Sequence, residues 1–476
     1  MKNTYKNRRT RSKKKNNKTR KNQKKGGNEK SKTHTKISKI DLTKYKHLED
    51  FFKKSIICGE TNECLNFGIN KRLDFLLFSG LKNNLQYIKD ISEVSSGANG
   101  TVYAMKFVKS FEEKNIDINF NTILKTSIDR YSDNLVYEYV VGKYFINVFT
   151  EYYPNLLLTY DVFHVLKSKI KKENISTSLK SIDNGSIVEM VRYSCIKPER
   201  MSILIQHFEN CDTIHKFLLK NENNGSMKEI WHIWVPIILY QVYFLLSDMA
   251  DKFTHYDLHT NNVLLYKLPE GKYIIMNYIN KNGQTETTFK TIYIPKIIDY
   301  GRSFFYANDN FNSKILNDKI LCKFKECNKI ELNENCGEES GYTYFSYDKN
   351  NKPLKEQHYI SAPIRNKSHD LRLAYIFKKH YSKRFGNDNA DLVDLFDDIY
   401  YEEEFGTPEV VDNYTSKIKN VEDMKMELEE RVLYKENFKN NLETYFSKNS
   451  DKYSCLGTLN IYEGNKHIME FIPHCV

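Results

Sequence analysis

Hydrophobic side chains are most concentrated in residues 230–246, a run of 17 residues that contains no formally charged side chain. The run includes His232, Pro236 and Gln241, and its length is at the bottom of the range that spans a bilayer. A helix buried in the core of a folded domain explains such a run more simply than a membrane span does. We therefore predict a buried helix here and no membrane-spanning segment.

A strand-like pattern precedes this run in the sequence. Residues 91–107 place two apolar stretches around a tight turn of small residues, which is typical of a β-hairpin. Two later stretches, 122–125 and 201–206, predict further strands, and residues 133–148 predict a helix between them. The polar residues 108–119 are predicted to form an insertion. The first half of the chain is thus expected to combine several strands with one helix.

The positive charge of the chain is concentrated at its N-terminus. The 476 residues include 73 Lys and Arg and 61 Asp and Glu, a net charge of +12. Residues 1–40 hold 17 of the basic residues and a single acid, Glu29, so the remaining residues carry a charge of −4. With almost no apolar side chains, residues 1–40 cannot bury a core, and we predict a disordered basic arm. The arm is typical of binding to nucleic acid or another acidic partner, but a solvated tail without a specific partner explains it equally well.

The cysteines indicate a reducing compartment. Nine cysteines are scattered along the chain, and Cys322, Cys327 and Cys336 have no nearby histidines at the spacing of a zinc finger. Free thiols are therefore the simpler interpretation. Residues 1–33 contain no apolar stretch of the kind that a secretory signal needs. We expect an intracellular protein, in the cytoplasm or the nucleus.

Two polar motifs carry the chemistry. Residues 255–265 read H-Y-D-L-H-T-N-N-V-L-L, with Asp257 and Asn262 five residues apart in a short loop before an apolar strand. Residues 297–301 read I-I-D-Y-G and contain Asp299. Phosphoryl transfer needs one carboxylate for the proton of the acceptor hydroxyl, and an amide and a second carboxylate for Mg²⁺.

The two motifs resemble H-R-D-L-x-x-x-N and D-F-G of the protein kinase superfamily. The resemblance implies that Asp257 accepts the hydroxyl proton, that Asn262 and Asp299 bind Mg²⁺, and that His255 and Tyr300 pack behind the site. It also implies an α+β, bilobal kinase-like fold, with a small β-rich N-lobe and a large helical C-lobe, which binds ATP and Mg²⁺. The expected domains are an arm (1–40), a helical extension (41–90), an N-lobe (91–206), a C-lobe core (207–385) and a C-terminal helical part of the C-lobe (386–476).

Upstream residues extend the resemblance. The hairpin resembles the kinase glycine-rich loop with Ser95 in place of the first glycine, although an ordinary glycine turn explains it equally well. In T-I-L-K, Lys125 resembles the lysine of the third strand, whereas Lys106 follows Gly100 too closely. Glu138 would pair with Lys125, with Glu151 as the alternative.

The strand at 201–206 matches the segment that joins the two lobes, with Ile205 as gatekeeper and the backbones of Gln206 and Phe208 against adenine. The ATP contacts that the resemblance implies are made by Val94, Ser95, Ser96, Gly97, Ala98, Asn99, Gly100, Thr101, Val102, Lys125, Glu138, Gln206 and Phe208.

The chain also departs from the family pattern. Tyr256 replaces the arginine that binds an activation-loop phosphate, which predicts that activity does not depend on such a phosphate. His259 follows Asp257 by two residues, as in haspin-type, aminoglycoside and choline kinases. Residues 362–364 read A-P-I where A-P-E is usual, and Asp370 resembles the aspartate that braces the catalytic loop from the F helix.

Three functions follow from these features. The first is a Ser/Thr protein kinase with a protein substrate, favoured by the long segment 302–360. The second is a small-molecule kinase, favoured by His259. The third is a pseudokinase scaffold, favoured by the missing first glycine. The composition and long insertions are also similar to those of kinase-like proteins of large DNA viruses, which would allow a virion location.

Overall fold

The computed structural model describes residues 88–97, 100–111, 116–127, 133–166, 170–181, 200–208, 211–221, 227–316, 343–344, 360–361, 365–382, 390–399, 418–465 and 467–472. Several sequence predictions lie outside the described residues: the arm at 1–40, all but the last residues of the extension at 41–90, Ala98, Asn99, the three cysteines between 322 and 336, and residues 362–364.

The described part of the chain contains both strands and helices. The strands are β1 Ile88–Gly97, β2 Gly100–Phe111, β3 Ile116–Ser127, β4 Thr159–Val165, β5 Leu179–Ser181, β6 Met201–Gln206, β7 Cys211–Thr213, β8 Phe253–Thr254, β9 Val263–Lys267, β10 Lys272–Ile279, β11 Thr285–Thr291, β12 Tyr293–Ile297, β13 Phe304–Asn308, β14 Phe311–Asn312, β15 Thr343–Tyr344, β16 Ile360–Ser361, β17 Ser454–Tyr462 and β18 Glu470–Ile472. The α-helices are α1 Asp133–Val141, α2 Asn147–Phe149, α3 Ile175–Ser178, α4 Ile214–Asn221, α5 Met227–Glu229, α6 Val235–Asp248, α7 Ser313–Ile315, α8 Arg372–Ser382, α9 Ala390–Asp397, α10 Val421–Leu428 and α11 Glu436–Lys448.

A six-stranded antiparallel sheet is built by the first part of the chain. Its strand order is β1-β2-β3-β6-β4-β5. The hairpin predicted at 91–107 is present as β1 and β2. The predicted insertion at 108–119 is wrong for most of its length, because β2 continues to Phe111 and β3 begins at Ile116. Backbone pairing between these strands continues beyond the apolar stretch, because pairing between neighbouring strands does not require apolar side chains.

The helix predicted at 133–148 is also present. α1 continues without a break into a π-turn at Gly142–Ile146 and then into α2. Val136, Tyr139 and Val140 are fully or almost fully buried on it. Glu138 lies on the same helix and is itself buried.

The apolar run at 230–246 is a core helix, as predicted. A π-turn at Ile230–Trp234 leads into α6, and Pro236 is the second residue of α6. Every side chain from Val235 to Leu246 is buried. Among the described residues, Ile230–Asp248 is the one helix that is long and apolar enough to cross a membrane, and 89% of an 18-residue apolar stretch within it is buried in the protein. That burial makes it weak evidence for a span.

The C-terminal part of the chain is only partly helical, which corrects the prediction for 386–476. Its two longest helices are separated by a π-turn at Glu429–Leu433 and a short turn before α11. After α11 the chain returns as β17, which pairs in parallel with β10 in a sheet of order β11-β10-β17-β18. The segment can form a strand because β10 offers a free edge, a partner that local sequence does not reveal.

The described residues thus form a mixed α+β fold with a curled sheet and several helices, which is compatible with a kinase-like fold. The bilobal layout and the domain boundaries stay predictions.

Candidate active site

Two antiparallel strands bring the two polar motifs together. β9 begins directly after Asn262, and β12 ends two residues before Asp299. Val263 pairs with Ile297, and the Ile298 N–H donates to the Asn262 carbonyl at 3.0 Å. Both motifs therefore lie at the same end of the strand pair.

An ion-pair network connects β3, α1 and the segment after β12. Lys125 Nζ lies 2.7 Å from Glu138 Oε2 and 3.1 Å from Asp299 Oδ1. The Glu138 side chain is buried, whereas that of Asp299 is 33% exposed and remains accessible to a ligand. The alternative lysine, Lys106, lies on β2 opposite Asn121. The structure brings Lys125, Glu138 and Asp299 into one cluster, and their roles toward a nucleotide stay predictions.

The protonation states in this cluster follow from burial and from the shared lysine. Burial acts to lower the pKa of Lys125, but Asp299 and Glu138 outweigh it and raise that pKa above its ordinary value. Burial acts to raise the pKa of Asp299, but the Lys125 ammonium lowers it below its ordinary value. Burial raises the pKa of Glu138 to about 7, against the attraction of Lys125. Lys125 and Asp299 are therefore charged at neutral pH.

His255 joins the loop that contains Asp257 and Asn262 to the segment that leads to Asp299. Its Nδ1 accepts a hydrogen bond from the Asp257 N–H at 3.3 Å, and its Nε2 lies 2.9 Å from the Ile298 carbonyl oxygen. Because Nδ1 is an acceptor, the proton is assigned to Nε2, which donates to that carbonyl. The imidazole lies in T-shaped contact with the ring of Tyr300, with ring centroids 6.0 Å apart. The packing predicted for both residues is present.

Asp370 braces the backbone of the same loop, as predicted. Its Oδ2 accepts from the His255 N–H at 2.7 Å, and its Oδ1 accepts from the Tyr256 N–H at 3.0 Å. Tyr256 has a φ of 62°, in the left-handed region that a bulky residue rarely adopts. The two hydrogen bonds hold this strained backbone at the site. The Tyr256 side chain is fully buried against His369, with ring centroids 4.8 Å apart.

Asn262 and Asp299 carry oxygen atoms of the kind that Mg²⁺ prefers, and the binding of Mg²⁺ by them stays a prediction. Asn262 Nδ2 donates to the Asp257 carbonyl at 2.9 Å, which leaves Oδ1 as the oxygen available to a cation. Mg²⁺ prefers oxygen ligands and usually binds through one or two carboxylates together with substrate phosphates. Within the described ranges, no group of three or more His, Cys, Asp or Glu side chains forms a metal cluster. An ion at this place would therefore depend on phosphate ligands.

The carboxylate of Asp257 contacts two basic side chains. Arg372 Nη1 donates to Asp257 Oδ1 at 2.8 Å, and His259 Nε2 lies 3.5 Å from the same oxygen. Burial lowers the pKa of His259, against the attraction of Asp257, so its imidazole is neutral at neutral pH. Arg372 was not among the predicted site residues. A basic residue two positions after Asp370 was the only signal for it in the sequence.

The glycine-containing hairpin lies directly beside Lys125. Val102 pairs with Lys125 across β2 and β3, Thr101 pairs with Ser96, and Gly97 pairs with Gly100. The remaining predicted residues of the hairpin are Ser95, which pairs with Val102, and Val94, which is exposed.

Gly100 has a packing reason to lack a side chain. A Cβ on Gly100 would lie 2.2 Å from the Thr126 carbonyl oxygen of β3. This packing explains Gly100 without a ligand, so the proximity to phosphate predicted for Gly97 and Gly100 stays a prediction.

The residues predicted to contact adenine end β6. The Gln206 N–H donates to the Leu158 carbonyl at 2.8 Å, so a ligand contact by the Gln206 backbone would use its carbonyl. The Phe208 ring is buried, and Lys296 Nζ lies 4.4 Å from its centroid. This leaves the backbone of Phe208, rather than its ring, for the predicted contact.

No protein family profile matches this sequence, and no curated protein matches it. Among solved structures, 85 chains match. One is the crystal structure of the BubR1 kinase domain, at 12% sequence identity and a TM-score of 0.29, covering 74% of this chain and 83% of that chain. At so low a TM-score the likeness carries no argument about fold or function.

Proposed function

We propose that this protein is an ATP- and Mg²⁺-dependent phosphotransferase that transfers the γ-phosphoryl group to Ser and Thr hydroxyls of a protein substrate. The observation that supports it most is the position of Lys125 Nζ between Glu138 and Asp299. A lysine paired with a helix glutamate, next to a metal-binding aspartate, is the arrangement that kinase chemistry requires. His255 joins the loop of Asp257 and Asn262 to this cluster.

Each of these side chains has a role in the proposed reaction. Lys125 would hold the α- and β-phosphates, because its raised pKa keeps the ammonium charged. Asn262 Oδ1 and Asp299 would hold Mg²⁺, which when bound neutralises phosphate charge. As the hydroxyl oxygen bonds to the γ-phosphorus and the bond to the leaving ADP oxygen breaks, Asp257 would accept the hydroxyl proton. The contribution of the protein is mainly positioning and electrostatics.

The proposal is tested with the purified full chain, radiolabelled ATP and Mg²⁺, with autophosphorylation and casein as acceptors. Asp257→Asn should lower the transfer rate by about 10²–10⁴-fold, the usual contribution of a general base. Asp299→Asn should abolish transfer and the Mg²⁺-dependent rise in melting temperature that ATP causes. Asp397→Asn is the matched control, because its carboxylate is exposed and pairs with Lys378.

Three results would count against the proposal. Transfer by Asp257→Asn at the wild-type rate would remove Asp257 from the reaction. Stabilisation by ATP without transfer from the wild type would indicate the scaffold function. Failure of ATP to bind in the presence of Mg²⁺ would exclude the nucleotide site itself.

His259 supports a second candidate, transfer to a small-molecule hydroxyl. His259 follows Asp257 at the spacing seen in aminoglycoside and choline kinases, and its Nε2 faces the Asp257 carboxylate. The two candidates differ in where the label goes. The protein is incubated with radiolabelled ATP and a metabolite extract and is then removed on a filter. A labelled compound in the filtrate that the Asp257→Asn variant does not produce would favour the small-molecule candidate.

A further inference from the structure

Asp257 is held by a residue from a distant part of the chain. Arg372 begins α8, and its Nη1 donates to Asp257 Oδ1 at 2.8 Å. The two side chains are only 14% and 19% exposed, so the ion pair is largely shielded from water. An ion pair of this kind is stronger and more restrictive than one on the surface.

The His259 ring lies near the same oxygen. His259 Nδ1 accepts from the Asn261 N–H at 3.1 Å, so the proton of the neutral ring is assigned to Nε2. That nitrogen lies 3.5 Å from Asp257 Oδ1. The hydrogen bond to Oδ1 therefore comes from Arg372, and in the part of the chain that the structure describes no hydrogen bond engages Oδ2.

Arg372 and Asp370 act on the two sides of the same loop. Asp370 accepts the backbone N–H groups of His255 and Tyr256, and two residues later Arg372 holds the side chain of Asp257. One short segment at the start of α8 thus fixes both the backbone and the carboxylate orientation.

We propose that Arg372 is a positioning residue for phosphoryl transfer, which holds Asp257 Oδ1 so that Oδ2 accepts the proton of the acceptor hydroxyl. The inference rests on the proposed function. Without the guanidinium, the carboxylate rotates about its χ angles and the productive orientation is populated only part of the time. Arg372 touches neither ATP nor the acceptor in this scheme.

The test compares Arg372→Met, Arg372→Lys and the control Arg431→Met, whose guanidinium pairs with Asp398 and Glu427 away from the site. Rates are measured with radiolabelled ATP, Mg²⁺ and casein. Arg372→Met should lower kcat by about 10²-fold, the cost of misplacing a catalytic group by about 1 Å, with KM for ATP unchanged. Arg372→Lys keeps a cation that can donate to Oδ1 and should recover part of the loss. Arg431→Met should retain the wild-type kcat.

A double variant separates positioning from general stability. In an Asp257→Asn background, adding Arg372→Met should cause no further loss, because the group that it positions is already absent. A full additional loss, an unchanged kcat in Arg372→Met, or an effect confined to KM would overturn the inference.

If Arg372→Met does not fold, Arg372→Lys and Arg372→Gln make the same comparison. If the wild type transfers no phosphate, the proposed function fails and the inference fails with it; wild-type transfer with unaffected Arg372 variants overturns the inference alone.

Discussion

The hydroxyl of Tyr137 donates a hydrogen bond to the Ser303 carbonyl at 2.6 Å, and this contact joins α1 to the segment that follows Asp299. The Tyr137 proton is used in that bond, so the Ser313 hydroxyl donates to Tyr137 Oη at 2.8 Å, and Ser313 Oγ accepts from the Phe305 N–H at 2.7 Å. All three bonds are buried. Tyr137 precedes Glu138, so the network holds the helix that presents Glu138 to Lys125.

Tyr137→Phe should therefore weaken both the fold and the site. It leaves the Ser303 carbonyl and the Ser313 hydroxyl buried without their partner, at a cost of about 1–3 kcal/mol in the free energy of unfolding. Urea denaturation measures the loss, and the transfer assay should show a lower kcat. Tyr306→Phe is the matched control, since its hydroxyl bonds Asp309 at the surface. Equal unfolding free energies for the two variants would show that the network contributes nothing.

Asp370→Asn should destabilise the catalytic loop. Both carboxylate oxygens accept backbone N–H groups, and an amide nitrogen cannot accept either one. One buried N–H loses its acceptor, which costs about 1–3 kcal/mol. Since Tyr256 is held at a positive φ by one of these bonds, kcat should fall with stability. The measurements are urea denaturation and the transfer assay beside Asp397→Asn; a variant with wild-type values in both would contradict the bracing role.

Lys296 gives the protein a pH dependence of stability. Its side chain is fully buried on β12, its ammonium group donates to the Pro154 carbonyl, and burial lowers its pKa to about 7. In the unfolded chain the pKa is 10.5. The unfolded state therefore binds more protons between these two values. Stability rises as the pH increases from about 7 toward 10.5, by at most about 1.4 kcal/mol per pH unit, and this contribution is flat below 7.

Lys296→Met should remove this rise. The expected result is a smaller gain in unfolding free energy between about pH 7 and about pH 9 than the wild type shows, measured by urea denaturation. Lys220→Met is the control, because Lys220 is an exposed surface lysine paired with Asp212. The same slope in Lys296→Met and the wild type would mean that Lys296 stays charged in the folded protein.

The basic residues 1–40 lead to a prediction about nucleic acid. If they bind a DNA or RNA oligonucleotide, the affinity should fall steeply with salt, because each neutralised phosphate releases a counterion. Fluorescence anisotropy across a salt series measures this, with a chain lacking residues 1–40 as the comparison. Binding that survives the deletion, or that ignores salt, would assign the contact to another part of the protein.

Local features of the sequence were enough to predict much of this structure. The uncharged run at 230–246 had to be buried. Lys106 follows Gly100 too closely to lie on the third strand, so chain length alone assigned Lys106 and Lys125 to different strands. Lys106 lies on β2 and Lys125 on β3 for that reason. Asp370 was identified as a brace because its position in a motif implies a backbone role.

Other features depended on partners that are distant in sequence. The strand β17 forms because β10 offers it an edge, and residues 454–462 carry no sign of that partner. Residues 108–119 were predicted to form a polar insertion, but 108–111 and 116–119 extend β2 and β3, because pairing between neighbouring strands does not require apolar side chains.

The sequence by itself determines which polar residues each motif contains and how they are spaced. A carboxylate at 257, an amide at 262 and a carboxylate at 299 could therefore be recognised without coordinates. Folding decided which atoms they face. Lys125 Nζ lies between Glu138 and Asp299, and Arg372 engages a single oxygen of Asp257. Distances of about 3 Å between groups far apart in sequence are set by the packing of strands and helices, which local patterns do not encode.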